Sequence, residues 1–425
     1  MDTFTLANPY HQNYVNSDRK NTDFRYILRI NSSCYPEIDA MQGQLLMGKL
    51  NKQAYPEVTL TLDFGGSGTK GIVQIQGGKP TAMWMEPSVI EATRTSLAFQ
   101  TRNLGNAYPE NTAWVGIGED YRAVGYLARS TYSATSGLKP RKYELALYKT
   151  LAAVWVIKQK FKLPDCFDIS LALLLPPGEF EDSALLKPML KDALAEFDTP
   201  TRKLNANLVG YDCFPEGGGI YAMYCKNTGE AMRRKVIALV MLGYRNASVM
   251  ISRRGILNRG KTVNLGMAKM MDLVIERTSG LEAEQVIEAI VAAGSEPKPQ
   301  HFYHLCSSNN HRDTQIEKII LAVHSSRAEY AIALTNWLKE ILPSKNELDE
   351  AIICGGTADY LREELDAVFP TTPVVWHGGV EIPSTLNEQW LGSRLADVWA
   401  LSVYHAIKVR AGNRLRDASE VVSNG

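Results

Sequence analysis

Long apolar runs are missing from this sequence. Runs such as Val236–Leu242 and Leu171–Leu175 fall far short of the ~18–20 residues that a membrane helix needs. The start, MDTFTLANPYHQNY, lacks a basic segment followed by an apolar one, so export and membrane insertion are not expected and a cytoplasmic location is. Cysteines at CxxC spacing are absent too. Cys34, Cys166, Cys213, Cys225, Cys306 and Cys354 are scattered, several within apolar runs, which predicts reduced thiols acting as small hydrophobes. Nor is there an excess of charge of one sign, since 46 basic residues balance 46 acidic ones. No global field therefore draws the chain to nucleic acid or to an anionic membrane, and direct sequence-specific DNA binding is not expected. His301, His304 and Cys306, with His311 beyond, match no zinc spacing. The basic residues of SRRGILNRGK, Arg253, Arg254, Arg259 and Lys261, read as a solvated hairpin face, with contact to a polyanion as the alternative.

What is present points to two lobes of α/β structure. The 425 residues exceed the ~250–300 at which a single core stops growing. Residues 1–55, rich in Asn, Tyr, Ser and Asp, show neither helical nor strand period and predict an arm, disordered or packed on the surface. From Val58 onward, Thr59–Phe64 and Gly71–Ile75 read as two strands of a hairpin, and MWMEPSVI and AWVGIGEDYRAVG as short strands. Apolar residues three and four apart predict a helix over Lys142–Phe161, followed by a buried strand over Asp168–Leu175. Ala184–Phe197 reads as helical, Asn207–Phe214 as strand and Pro215–Gly219 as a turn. Strands Val236–Leu242 and Ala247–Ser252 flank Gly243–Asn246, and Gly266–Arg277, Ala283–Ala293 and Thr314–Leu342 read as helices. Glu350–Cys354 is a strand running into Gly355–Gly356, with a helix over Tyr360–Leu365. Strand-rich and helical blocks thus alternate twice, as an α/β protein does. Trp155 and Trp399 fall within helical apolar patterns as packed anchors.

The chemistry concentrates in LDFGGSGTKG. Asp63 ends a strand, and Gly65, Gly66, Ser67, Gly68, Thr69 and Lys70 follow it. Glycines at 65, 66 and 68 allow positive φ and close backbone approach, so that N–H groups converge on phosphate oxygens. Ser67 and Thr69 add hydroxyls and Lys70 a cation, while Asp63 is placed to hold a hydrated Mg²⁺. The segment is not a Walker A loop, and no long helix follows it as in the dinucleotide fingerprint.

This hairpin resembles the first phosphate motif of the actin superfamily. Ala351–Ala358 (AIICGGTA) resembles the superfamily's adenosine motif, Arg394–Tyr404 its C-terminal helix, and Glu86–Pro87–Ser88 the Pro-Ser that follows the first hairpin. The match runs from about Val58 to Lys408 and is nearest to plasmid-segregation filament proteins of the ParM/StbA type. The resemblance implies a two-lobed actin-like α/β fold, a duplicated ribonuclease H-like design. Lobe I would span 56–215, lobe II 216–393, and a C-terminal helix and tail, 394–425, would return to lobe I.

The resemblance also implies ATP or GTP with Mg²⁺ in the cleft. Asp63 would position the metal, Gly65 to Lys70 would grip phosphates, and Gly355, Gly356 and Thr357 would flank the nucleoside. At the second phosphate motif, Leu239–Ser248, Met241 stands where the Asp belongs and Tyr244 replaces a glycine. Gly243 and Arg245 remain there as nucleotide-binding candidates, Arg245 being either a fixed cation on phosphate or a solvated turn residue. Glu216, in Phe214–Pro215–Glu216–Gly217, matches a Pro-Glu that steers water near the γ-phosphate in ParM-like proteins, and is otherwise a solvated turn residue ahead of the second lobe's hairpin. The implied function is nucleotide-dependent filament formation in plasmid or DNA segregation through a DNA-bound adaptor, with slow hydrolysis. Its rivals are a nucleotide-binding pseudo-ATPase scaffold, which Met241 favours, and a sugar or acyl kinase, for which no acidic base beside a sugar pocket is found.

Overall fold

The computed structural model of the chain describes residues 56–423 apart from 104, 136–140, 279, 307–310 and 390; the arm expected over 1–55 lies outside the described residues. Strands β1 (Val58–Gly65) and β2 (Gly68–Ile75) form the expected hairpin, and β3 (Thr81–Met85) extends it antiparallel. A small sheet follows: β4 (Val89–Glu91), β5 (Trp114–Ile117) and β6 (Asp120–Val124), in the order β4-β6-β5, accompanied by helices α1 (Arg94–Asn103) and α2 (Tyr126–Tyr132). Helix α3 spans Lys142–Phe161 as its spacing predicts; Leu147, Leu151, Val154 and Trp155 are buried, and the helix stops at left-handed Lys162. Strand β7 (Cys166–Leu175), helix α4 (Ser183–Ala195) and strand β8 (Asn205–Pro215) complete the first sheet, ordered β3-β2-β1-β7-β8. There β1, β7 and β8 run parallel. With helices and loops on both faces, β1 and β7 bury nearly every residue, which accounts for their unbroken apolar character.

Helix α5 (Gly218–Thr228) corrects the reading of Pro215–Gly219 as a turn ahead of a hairpin. Glycines disfavour a helix interior by about 1 kcal/mol each, yet the packing here requires them. A Cβ at Gly219 would lie 2.5 Å from the Asp397 carbonyl oxygen, so only a bare backbone lets the C-terminal helix lie against α5.

The second sheet repeats the plan of the first. Strands β9 (Val236–Leu242) and β10 (Ala247–Arg253) form an antiparallel hairpin, with β11 (Ile256–Leu257) and β12 (Lys261–Val263) paired to β10. After helices α6 (Met267–Arg277), α7 (Ala283–Ala293) and α8 (Arg312–Ile341), strands β13 (Glu350–Cys354) and β14 (Val374–Trp376) run parallel to β9. The single helix expected over Tyr360–Leu365 is two, α9 (Gly356–Tyr360) and α10 (Arg362–Val368), meeting at Leu361. Helix α11 (Ala396–Ser423) ends the described chain.

Each sheet has its own core, and a third core joins them. Ile72, Ala172 and Leu174 of the first sheet, Ile237, Leu239 and Cys354 of the second, Ile220 and Tyr221 of α5, and Leu395, Val398 and Leu401 at the start of the C-terminal helix all belong to it. Helices α5 and α11 therefore fill the space between the sheets. The carboxyl ends of β1, β7, β9 and β13 meet around this layer, the position at which open α/β sheets bind ligands.

Candidate functional site

The β1–β2 register sets Asp63 directly opposite Lys70, with Gly66 and Ser67 as the two-residue tip. Lys70 Nζ lies 2.6 Å from Asp63 Oδ2, and both side chains are buried. Lys70 also donates to the Arg394 carbonyl at 3.3 Å, and Arg394 Nη2 donates to Ser67 Oγ at 3.0 Å. Of the three glycines expected to use positive φ, only Gly68 does, at 155°. A Cβ there would sit 2.1 Å from Trp84 Nε1. Gly65 is small for another reason, since its Cβ would fall 2.8 Å from the Gly68 oxygen. Thr69 Oγ1 is buried with no hydrogen-bond partner among the described residues.

Glu216 extends β8, its N–H donating to Leu175 O at 2.7 Å. It is buried rather than solvated and precedes a helix rather than a hairpin. Its Oε1 pairs with Lys142 Nζ at the first turn of α3. Burial disfavours the Lys142 ammonium, but Glu216 and Asp63 outweigh it and hold the pKa above the usual lysine range. Burial likewise opposes ionised Asp63, yet Lys70, Lys142 and Arg394 together hold its carboxyl below the usual range. Lys142 therefore acts on both carboxylates that the sequence singled out separately.

Three further charged groups at this place had no signal in the sequence. Asp397 on α11 accepts N–H bonds from Gly217 at 2.6 Å and Ile220 at 3.1 Å, capping α5 from a distance. Burial pushes its pKa up to about 7 against the pull of those N–H groups, with Asp63 and Glu216 adding to the rise. Lys149, two turns along α3 from Lys142, is 4% exposed and has no ion pair among the described residues. Burial first, and Lys142 second, bring its ammonium down to about 7. Glu179 receives Arg245 of the β9–β10 turn at 3.9 Å and the Tyr143 N–H at 3.3 Å. Arg245, expected on phosphate or in solvent, is thus directed at a carboxylate of the first lobe's side.

The second hairpin and the β13 turn come together. Thr357 Oγ1 donates to the Gly243 carbonyl at 2.8 Å, while Gly243 N–H closes its own turn on Asn246 O. Gly355 takes φ 100°, where a Cβ would collide with Leu242 O at 2.1 Å. A Cβ on Gly356 would lie 3.2 Å from Arg394 Cγ. Arg394 therefore bonds the β1–β2 tip and lies beside the β13 turn, lining one pocket together with Gly356. Met241, in place of a carboxylate, accepts the Cys354 thiol at 3.4 Å. Beyond Gly356 a pocket of about 460 Å³ opens beside Asp359, Tyr360, Ser393 and Arg394.

The donor set fits a nucleoside polyphosphate: two hydroxyls, Lys70 and Arg394 gather at one hairpin, and one hydroxyl is an unmet buried donor. For Mg²⁺ the hairpin offers Asp63, which suits an ion that keeps most of its waters. Among the described residues no group of three His, Cys, Asp or Glu side chains could hold a metal, and His301 instead caps the Lys298 N–H through Nδ1. Arg259 of the basic cluster pairs with Glu181 at 3.0 Å. No helix among the described residues is long and apolar enough to cross a membrane.

No family model and no curated protein matches the chain by sequence. Solved structures match it by shape. A non-polymerisable quadruple mutant of the pCBH ParM superposes with TM-score 0.55 at 15% identity, over 82% of this chain and 99% of that one. Ta0583, an archaeal actin homologue, gives 0.53 at 14% identity, over 84% and 99%. A 15-stranded ParM filament from Clostridium botulinum gives 0.52 at 15%, over 81% and 98%. With the repeated hairpin-plus-parallel-strand sheets joined by the C-terminal helix, these likenesses show that the chain has the actin-like, ParM-type fold.

Proposed function

We propose that the chain binds a nucleoside triphosphate with Mg²⁺ in the cleft between its two sheets and assembles into actin-type filaments, hydrolysing the nucleotide slowly. The observation that carries this reading is Arg394, which hydrogen-bonds the β1–β2 tip at Ser67 and Lys70 and lines one pocket together with Gly356 of the β13 turn. One extended ligand can therefore engage both sheets at once. Lys70 exchanges Asp63 for a phosphate oxygen, Thr69 supplies the unmet donor, and Asp63 is freed to hold the hydrated metal. Mg²⁺, when bound, neutralises phosphate charge. Glu216 accepts from a water and orients it, and Lys142 fixes the carboxylate that does so. Met241 supplies no second carboxylate, so turnover is slow.

A ligand that touches both sheets favours their closed arrangement by its differential affinity. Head-to-tail contacts between protomers that do not close a ring extend into filaments. Plasmid or DNA segregation through a DNA-bound adaptor is the role we propose for such a filament, in keeping with the ParM-type fold. The engagement of Glu216 by Lys142, with Met241, favours a second reading, a nucleotide-binding scaffold without turnover. Sedimentation with ATP, with GTP and without nucleotide, run beside phosphate release, separates the two. Pelleting with release supports the first reading, pelleting without release the second, and no nucleotide-dependent pelleting rejects both.

A further inference from the structure

We infer that Lys142 is the residue by which the cleft tells a nucleoside triphosphate from a diphosphate. The inference rests on the proposed function and names the side chain that meets the terminal phosphate.

The charged groups follow one another along the cleft. Arg394 lines the pocket beside Gly356 and donates to Ser67 at the β1–β2 tip. Lys70 comes next, donating to the Arg394 carbonyl and pairing with Asp63. Lys142 follows, because its ammonium acts on Asp63 and pairs with Glu216. Arg394 belongs to the pocket wall and Lys142 does not. A ligand with its base in the pocket and its first phosphates on Ser67 and Lys70 therefore has its far end at Lys142. The second sheet reaches the same place. Arg245 of the β9–β10 turn lies 3.9 Å from Glu179, and Glu179 accepts the N–H of Tyr143, the residue after Lys142, at 3.3 Å.

Lys142 has capacity for one more anion. An ammonium carries three donors, and among the described residues one of them is engaged, on Glu216 Oε1. The side chain keeps 11% of its surface exposed. Burial opposes the charge, but Glu216 and Asp63 keep the ammonium protonated. The backbone end of α3 is already served by Glu179, so an arriving phosphate meets the side chain. A diphosphate is held by the hairpin and Arg394 and stops short of Lys142. A triphosphate adds an anionic group there and sets it beside Glu216, the carboxylate proposed to orient water. Hydrogen bonds between ionised partners are about twice as strong as neutral ones. The triphosphate should accordingly bind at least about tenfold more tightly than the diphosphate, a difference of ~1.4 kcal/mol.

The test is calorimetric titration of ATP, ADP, GTP and GDP with Mg²⁺ into the full chain and into variants at position 142. Lys142→Met should bring triphosphate affinity down to that of the diphosphate and leave diphosphate affinity within a few fold, while Lys142→Arg, which keeps the charge, should keep most of the preference. Removing Lys142 alone strands a buried carboxylate, so Lys142→Met with Glu216→Gln is the second variant, and it should lose the preference as well. Glu216→Gln alone should retain it. A triphosphate preference that survives in both Lys142→Met proteins, or an equal loss of both nucleotide classes, overturns the inference. Equal binding of tri- and diphosphate by the parent also overturns it while the nucleotide reading stands. Failure of every nucleotide to bind the parent overturns both.

Discussion

Replacing Lys149 with methionine should stabilise the protein, most at neutral and mildly acidic pH and progressively less in alkaline solution. Lys149 is buried in α3 with no ion pair among the described residues, and burial with Lys142 brings its pKa from 10.5 to about 7. A lysine with a lowered folded pKa binds fewer protons in the fold than in the unfolded chain. The fold is therefore penalised in full below about pH 7, and the penalty disappears as pH rises toward 10.5. At ~1.4 kcal/mol per pH unit, the gap between those two values sets a ceiling of about 5 kcal/mol at pH 6 and about 3 kcal/mol at pH 8. Methionine has a similar reach and no charge, so Lys149→Met removes the penalty. The assay is urea unfolding at pH 6, 7, 8 and 9, with the buried Trp155 of the same helix as fluorescence reporter and comparison at constant m. The reasoning predicts a gain that shrinks by up to ~1.4 kcal/mol per pH unit above 7. A gain that does not vary with pH, or a loss at pH 6, would refute it and would mean that an anion pairs with Lys149 in solution.

Asp397 has the opposite dependence. Its raised pKa means the fold retains a proton that the unfolded chain releases, so the penalty grows as pH rises from about 4 and is complete above about 7; Asp397→Asn should then stabilise by roughly 3 kcal/mol more at pH 8 than at pH 5, as read from denaturation midpoints. Glu216→Ala should abolish phosphate release, a loss of roughly 10²–10⁴-fold, while nucleotide affinity by calorimetry stays within a few fold. Rapid hydrolysis surviving that change would place the water-orienting carboxylate elsewhere. Met241→Asp, which restores a carboxylate at the end of β9, should raise the release rate, and an unchanged rate in a folded variant would show that the position does not reach the phosphates.

What the sequence disclosed and what it concealed follow a physical division. Asp63, Ser67, Thr69 and Lys70 lie in one hairpin whose two-residue tip fixes the register, so local spacing alone puts Lys70 across from Asp63. The β13 turn was legible for the same reason, because Gly355 must accept a backbone conformation that its neighbours forbid to side chains. Lys142 meets Glu216 across 74 residues, Asp397 meets Gly217 across 180, and Arg394 meets Ser67 across 327. No periodicity records such meetings; packing between the sheets creates them. Helix α5 was hidden because its glycines speak against a helix when read alone, and the reason for them, the close passage of α11 at Asp397, lies 180 residues from Gly217 along the chain. Arg245 was legible as a cation at a turn, but its partner Glu179 comes from the opposite side of the cleft.

The central claim is that the β1–β2 hairpin binds the phosphates of a magnesium nucleotide. Isothermal titration of GTP and ATP with Mg²⁺ into the parent protein and into Asp63→Ala tests it most directly. The account predicts saturable binding by the parent that depends on Mg²⁺ and is abolished in the variant. Equal binding by both proteins, or none by the parent, would contradict it.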